Sequence, residues 1–427
     1  MSNPDAAFHQ NSNTDSAHGE HTNTKDPSQS RKRRFEHTEE EIPFPRVKVP
    51  ILFKDAPHVE TTELRLPMPD QRMVDAVMFS PVHTEQSYAE EVSRQDSSQA
   101  CSAQHHVFRT RQSCFEHIEP LGHGSYGMVD KIKYSGTALT NGKHYARKIV
   151  RCRDTKQLDA TRKELDIIKR LCHGHIVTTM MTYEEIQGRH HNFGIIMEPV
   201  ADSNLQEYLI WAAEQKNFPP DHVKRTVLSW FGCLASALAY LHAKRIRHKD
   251  IKPGNILIRN EQIFYTDFGL SRSFDEDAGS KSVGDPGHRT IKYSAPEVEA
   301  GQERGRKSDV FSLGCVYLEL LTLLAGRSSK DFQKFLRDDA KKAYHQIPQK
   351  ITSWMFQLQP YLSSVPQQRS MFCTLSMLEH NPQVRASSFE VASRLAICGK
   401  KMGSRNEKEL CPCRDIFGPI GDCKLTM

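Results

Sequence analysis

Near Pro199 the apolar residues of this chain stop recurring as they do in strands and begin recurring as they do in helices. Upstream, Ile118, Leu121, Val129, Ile132 and Tyr134 are interrupted by glycines in the manner of a strand, a tight turn and a strand, and a β region follows from Tyr145 to Val150. Between Lys156 and Leu171 the spacing of Leu165, Ile168, Leu171 and Cys172 predicts one helix. Strand-like runs return around Ile176 to Tyr183 and Asn192 to Met197. Beyond Pro199 the pattern is mainly helical. Its clearest piece follows Pro219, Pro220 and Asp221, with Val227, Phe231, Leu234, Leu238 and Leu241 on one face of a helix expected to run four to five turns. A strand-rich half of about 85 residues is thus followed by a helix-rich half of about 200, with no repeat and no long linker. The expectation is an α+β chain with a cleft where the halves meet.

The flanks read differently. Met1 to Glu41 contains no Leu, Ile or Val, so it cannot bury enough surface to offset the entropy of ordering. Repeated prolines at Pro43, Pro45, Pro50, Pro57, Pro67 and Pro69 then favour an extended linker or docking segment. Residues 1–110 are therefore expected to be a disordered arm, and 400–427 a short tail. Arg31, Lys32, Arg33 and Arg34 fit a solvated charge cluster or a nuclear-import address better than a nucleic-acid contact. A formal charge of +6 from 58 basic and 52 acidic residues gives no reason to expect nucleic acid or a membrane surface as a partner. Eleven cysteines are scattered and no apolar signal segment precedes them, so a disulfide framework is not expected and the setting is read as intracellular, cytoplasmic or nuclear. The longest apolar run, Val310 to Leu324, is too short and too interrupted for a bilayer and reads as a buried helix.

Four motifs carry chemistry. Gly122, Gly124 and Gly127 have G-x-G-x-x-G spacing, which serves ordinary turns, dinucleotide sites and phosphate-covering hairpins alike. A strand pattern follows them here rather than a helix, which favours the hairpin over the dinucleotide site. Lys148 ends a strand-like run, and Glu164 lies on the core-facing side of the next helix, where a carboxylate needs a cation; Lys148 is the natural candidate. Asp250, Lys252 and Asn255 place a carboxylate, an ammonium and an amide within one loop, suited to a hydroxyl proton, a phosphate and a metal respectively. Asp267, followed by Phe268 and Gly269, comes after a hydrophobic strand. Two oxygens from separate elements, together with nucleotide phosphates, suit Mg2+.

In this order the motifs resemble those of eukaryotic-type protein kinases, over roughly 285 of the 427 residues. Ala295-Pro296-Glu297 resembles the end of an activation loop, Asp309 and Gly314 the start of a buried central helix, and Arg385 the arginine that pairs with that glutamate. The resemblance implies a bilobal fold: a small β-rich N-lobe with one helix over 114–197, a hinge over 198–203 and a larger helical C-lobe over 204–399. It implies ATP and Mg2+ as cofactors and protein substrates as partners, with docking partners possible for the arm. Leu121, Gly122, Gly124, Ser125, Gly127, Val129 and Ala146 would frame the nucleotide, and Glu198 and Val200 would meet the adenine through their backbone beside Met197. Lys148 would contact phosphates and pair with Glu164, Asn255 and Asp267 would hold the metal, and Asp250 would orient the acceptor hydroxyl and take its proton.

Lys252 and Thr290 resemble the serine/threonine-specific group. Lys249 departs from the pattern, which has Arg there; Lys lacks the planar fork that grips a phosphorylated loop, so a phosphate-operated switch is not implied. A pseudokinase scaffold is the alternative, and a small-molecule kinase of related fold a third. The set Lys148, Glu164, Asp250, Asn255 and Asp267 speaks against the second, and Ala295-Pro-Glu with Arg385 against the third.

Overall fold

The computed structural model describes residues 84–98, 103–108, 115–124, 127–136, 139–140, 142–152, 155–187, 190–215, 219–267, 272–273, 291–302 and 305–400. Six strands form one sheet: β1 (Gln104–Phe108), β2 (Phe115–Gly124), β3 (Gly127–Tyr134), β4 (His144–Cys152), β5 (Thr178–Gln187) and β6 (His190–Glu198). Their order is β1, β5, β6, β4, β3, β2. The β1–β5 pair is parallel and the other pairs are antiparallel. The glycine motif closes the β2–β3 hairpin, with Gly124 opposite Gly127. One side of the sheet carries a small core of Ile132, Tyr134, Tyr145, Met181, Tyr183 and Ile196. Against the other side, helix α2 (Thr155–Ile168) buries Leu158, Leu165 and Ile168.

The helical half is built on two buried rods. Helix α4 (Asp221–Ala243) runs 23 residues, more than the four to five turns expected, because it starts at Asp221, ahead of Val227 where the apolar stripe begins. Its length and composition would also allow a membrane span, but its apolar residues are buried inside the fold. The second rod, α6 (Arg306–Leu324), is buried nearly all round, from Asp309 to Leu324. Around them pack α3 (Leu205–Glu214), the short α5 (Pro296–Glu299), α7 (Ser329–Leu336), α8 (Pro348–Leu358), α9 (Val365–Met377) and α10 (Ser388–Lys400). Small sheets carry the loops of the cleft: β7 (Ser203–Asn204), β9 (Ile256–Arg259) and β10 (Gln262–Tyr265) form one, and β8 (Ile246–Arg247) pairs with β11 (Arg272–Ser273).

Gly314 sits where the two packed helices α6 and α9 leave no space. A Cβ added there would lie 2.9 Å from Met377 Cβ and 3.1 Å from Leu378 Cδ2. Because a Cβ cannot swing aside as a long side chain's end does, Gly314→Ala is expected to lower stability by about 1–3 kcal/mol, read from urea midpoints at unchanged m-value.

The expected disorder of residues 1–110 fails over two segments. Helix α1 (Glu85–Ser98) and strand β1 are ordered parts of the fold. Thr84 Oγ1 accepts the Ser87 N–H at 3.1 Å and so caps α1. Tyr88 and Val92, one helical turn apart, are each 2% exposed, and the Tyr88 ring lies 5.4 Å from that of Phe389 on α10. Lys244 Nζ donates to Val92 O at 3.2 Å, and Arg306 bonds Glu85 at 3.1 Å. Burying a side chain of Val size contributes roughly 1.5–3 kcal/mol, enough to hold a helix whose other residues are mostly polar. A single pair of apolar anchors is too sparse to register as a helical period. Among the described cysteines, Cys152, Cys233, Cys315 and Cys373 are free and buried.

Candidate active site

Strand β4 points Lys148 into the cleft. It is paired across the sheet with Val129 of β3 and Ile195 of β6, while Ala146, two residues before it on the same face, lies opposite Met197. The Lys148 ammonium, 9% exposed, bonds Asp267 Oδ1 at 2.5 Å. Asp267 follows β10 with φ +62°, a left-handed turn uncommon for a residue with a side chain, which turns the chain out of the strand direction. Burial alone would raise the Asp267 carboxyl, but the charge and hydrogen bond of Lys148 outweigh it and hold the group below the ordinary carboxylate range. This ion pair joins the strand half to the helical half.

The loop after β8 gathers the second set. Asn255 ends a 3-10 turn that begins at Pro253, and its Nδ2 donates to both Asp250 O and Asp250 Oδ2, each at 2.8 Å. Both partners are acceptors, so the NH2 of Asn255 must face them and its amide oxygen points the other way. Lys252 Nζ bonds the same Asp250 Oδ2 at 2.7 Å. Both donors thus converge on one carboxylate oxygen. The other, Oδ1, keeps its capacity to accept a proton.

This loop is held from below by Asp309, 2% exposed on α6. Its Oδ2 accepts the His248 N–H at 2.8 Å and its Oδ1 the Lys249 N–H at 2.9 Å, and Lys249 takes φ +68°. His242 Nε2 reaches Asp309 Oδ2 at 3.1 Å, and His242 Nδ1 contacts Ser388 Oγ at 2.8 Å. Burial would raise the Asp309 carboxyl, yet the His242 hydrogen bond and the charges and N–H groups around it keep it low. Asp309 is a positioning residue: it fixes the backbone from which Asp250 projects.

Residues 115–395 match the family model for the protein kinase domain. The chain belongs to the protein kinase family. It is 26% identical over 318 residues to the serine/threonine-protein kinase Nek6 of Oryza sativa subsp. japonica, covering 73% of this chain and 52% of that protein. Over 232 residues it is 30% identical to the serine/threonine-protein kinase Nek4 of Mus musculus, covering 53% and 27%. It is 32% identical over 206 residues to the serine/threonine-protein kinase fused of Drosophila melanogaster, covering 47% and 23%. The chain spans about half or less of the length of these relatives.

Glu198, where the hinge was expected to begin, accepts through its carboxylate from Lys143 Nζ at 2.5 Å, and its backbone pairs with Thr178. Met197 and Val200 are half-buried, and Met197 packs on the main core. Gly122 lies across the hairpin from Val129, beside Leu121. Ser125, Phe268, Gly269, Thr290, Arg31 to Arg34 and the tail cysteines lie outside the described residues. So does the side chain of Glu164, whose backbone belongs to α2. Among the described residues no cluster of three or more His, Cys, Asp or Glu is disposed to hold a metal by itself. Asn255 and Asp267 instead offer two hard oxygen donors, which fits an ion that takes its remaining ligands from water and phosphate.

Arg385 and Glu297 form a buried fork of two bonds, at 2.7 and 3.0 Å. The histidines at 173 and 175 are structural: His173 contacts Ser236 Oγ at 3.2 Å, and His175 contacts Ile263 O at 2.7 Å. Next to Asp250, Tyr293 lines a small cleft with Lys249 and Ser294. Tyr293 also borders a cavity of about 430 Å³ between α3, α6 and α7, walled by Leu209, Glu319 and Phe332.

Proposed function

We propose that the chain is an ATP- and Mg2+-dependent protein kinase that transfers the γ-phosphoryl group to serine or threonine hydroxyls of protein substrates. The observation that carries this is Asp250, with Lys252 and Asn255 both bonded to its Oδ2, set on the same cleft as the Lys148–Asp267 pair. In this reading Lys148 exchanges Asp267 for the α- and β-phosphates when nucleotide binds. Asn255 and Asp267 would hold Mg2+, which when bound neutralises charge on the phosphates. Lys252 stands beside Asp250 where it can neutralise the moving phosphoryl group, and Asp250 Oδ1 orients the hydroxyl and accepts its proton. The 430 Å³ cavity that shares Tyr293 with the Asp250 cleft would receive substrate chain flanking the acceptor. The relatives named as serine/threonine kinases support the choice of acceptor. An intracellular setting, and docking of partners by the arm before residue 84, belong to the same proposal.

The test is transfer from radiolabelled ATP by the full chain onto a degenerate peptide library, beside Asp267→Asn. Transfer to serine and threonine is expected from the parent, with at least a hundredfold loss in the variant, the order seen when one preorganised charge group is removed. Nucleotide binding without transfer by the parent would favour the scaffold reading instead, and phosphotyrosine alone would overturn the acceptor assignment.

A further inference from the structure

The kinase family match begins at residue 115, yet ordered chain precedes it. Helix α1 lies on the C-lobe, with Tyr88 against Phe389 of α10 and Val92 bonded by Lys244 at the end of α4. Strand β1 lies on the N-lobe, paired with β5 from Gln104 opposite Met181 to Phe108 opposite Glu185. His105 Nδ1 also contacts Thr182 Oγ1 at 2.8 Å. Residues 99–103 join the two anchors. Six Cα–Cα steps separate Ser98 from Gln104, a reach of at most about 22 Å.

The position of this crossing matters as much as its length. Gln104 enters beside Met181, near the start of β5, and Thr178 of β5 is paired with Glu198, where the hinge starts. The chain thus passes between the lobes twice, entering the sheet on β1 and leaving it from β6, with only β5 between the two strands. One crossing alone leaves two bodies free both to open and to twist about it. A second crossing beside it, tied down at both ends, removes the twist and caps the opening.

We propose that Glu85–Phe108 is an interlobe strap, a second covalent link anchored in both lobes, that limits how far the cleft opens and twists about the hinge. The strap is separate from phosphoryl transfer and acts whether or not transfer occurs. Its C-lobe anchor sits on rigid ground, since Phe389 follows Ser388, which bonds His242 and through it Asp309.

Two variants of the full chain separate restraint from mere packing. Inserting about twelve Gly/Ser residues within 99–103 leaves every anchor contact possible but lengthens the tether well beyond the gap. The pair Tyr88→Asp and Val92→Asp removes the C-lobe anchor. Hydrogen exchange is followed without nucleotide at the amides of 198 and 200–203 and at the start of β5. In the insertion variant, at least about fivefold faster exchange at these amides is expected, with the thermal midpoint unchanged. Hinge exchange within twofold of the parent in the insertion variant overturns the proposal, and that variant decides even where the Asp pair fails to fold.

Discussion

Asp250→Asn is expected to slow phosphoryl transfer by about 10²–10⁴-fold while leaving ATP affinity within severalfold of the parent, the range for loss of a positioned proton acceptor. The substitution is nearly isosteric. Its remaining side-chain oxygen can still accept from Asn255 or Lys252, so the loop geometry held by Asp309 is preserved. What is lost is the second carboxylate oxygen, the one that neither Asn255 nor Lys252 uses. ATP affinity is set elsewhere, at Lys148 and Asp267. Single-turnover transfer together with nucleotide titration separates the two effects. A kcat within tenfold of the parent would remove Asp250 from the proton-accepting role.

The largest stability effect is expected at Arg385. Its five guanidinium N–H groups are all used: Nε on Glu379 O at 2.7 Å, Nη1 on Glu297 and on Lys307 O, and Nη2 on Glu297 and on His380 O. The side chain is 0% exposed and Glu297 5%, and the guanidinium lies 5.1 Å from the Phe311 ring. Arg385→Ala leaves a buried carboxylate without its cation, which costs about 3–5 kcal/mol, a large share of the roughly 5–15 kcal/mol that keeps a domain folded. Arg385→Lys should recover only part of this, because three donors on a flexible stem cannot reproduce a planar fork. Urea unfolding of both variants checks it. A loss under about 1 kcal/mol for the alanine variant would mean that solvent reaches Glu297.

What the sequence made legible follows from distance along the chain. Asp250, Lys252 and Asn255 lie within one loop, and their residue types alone suggested how they divide the work. The turn at Gly124 and Gly127 and the strand leading to Asp267 were equally local. Asp309 was recognised only as the start of a buried helix, because its bond to the backbone of His248 spans 61 positions and no local pattern records it. The strap escaped notice for a different reason. A helix anchored by Tyr88 and Val92, and a strand as short and polar as β1, have too few apolar residues to show a period, and only neighbouring elements make them ordered.

Strand β1 has one more consequence. Along β5 it occupies the backbone N–H and C=O groups that would otherwise form the bare rim of the sheet. A rim of that kind is a template for pairing with another molecule. A kinase fragment trimmed to start at residue 115, where the family match begins, would carry an open β5 rim and the self-association that goes with it. The short strand outside the family boundary thus replaces β5 as the edge of the sheet along Met181 to Glu185.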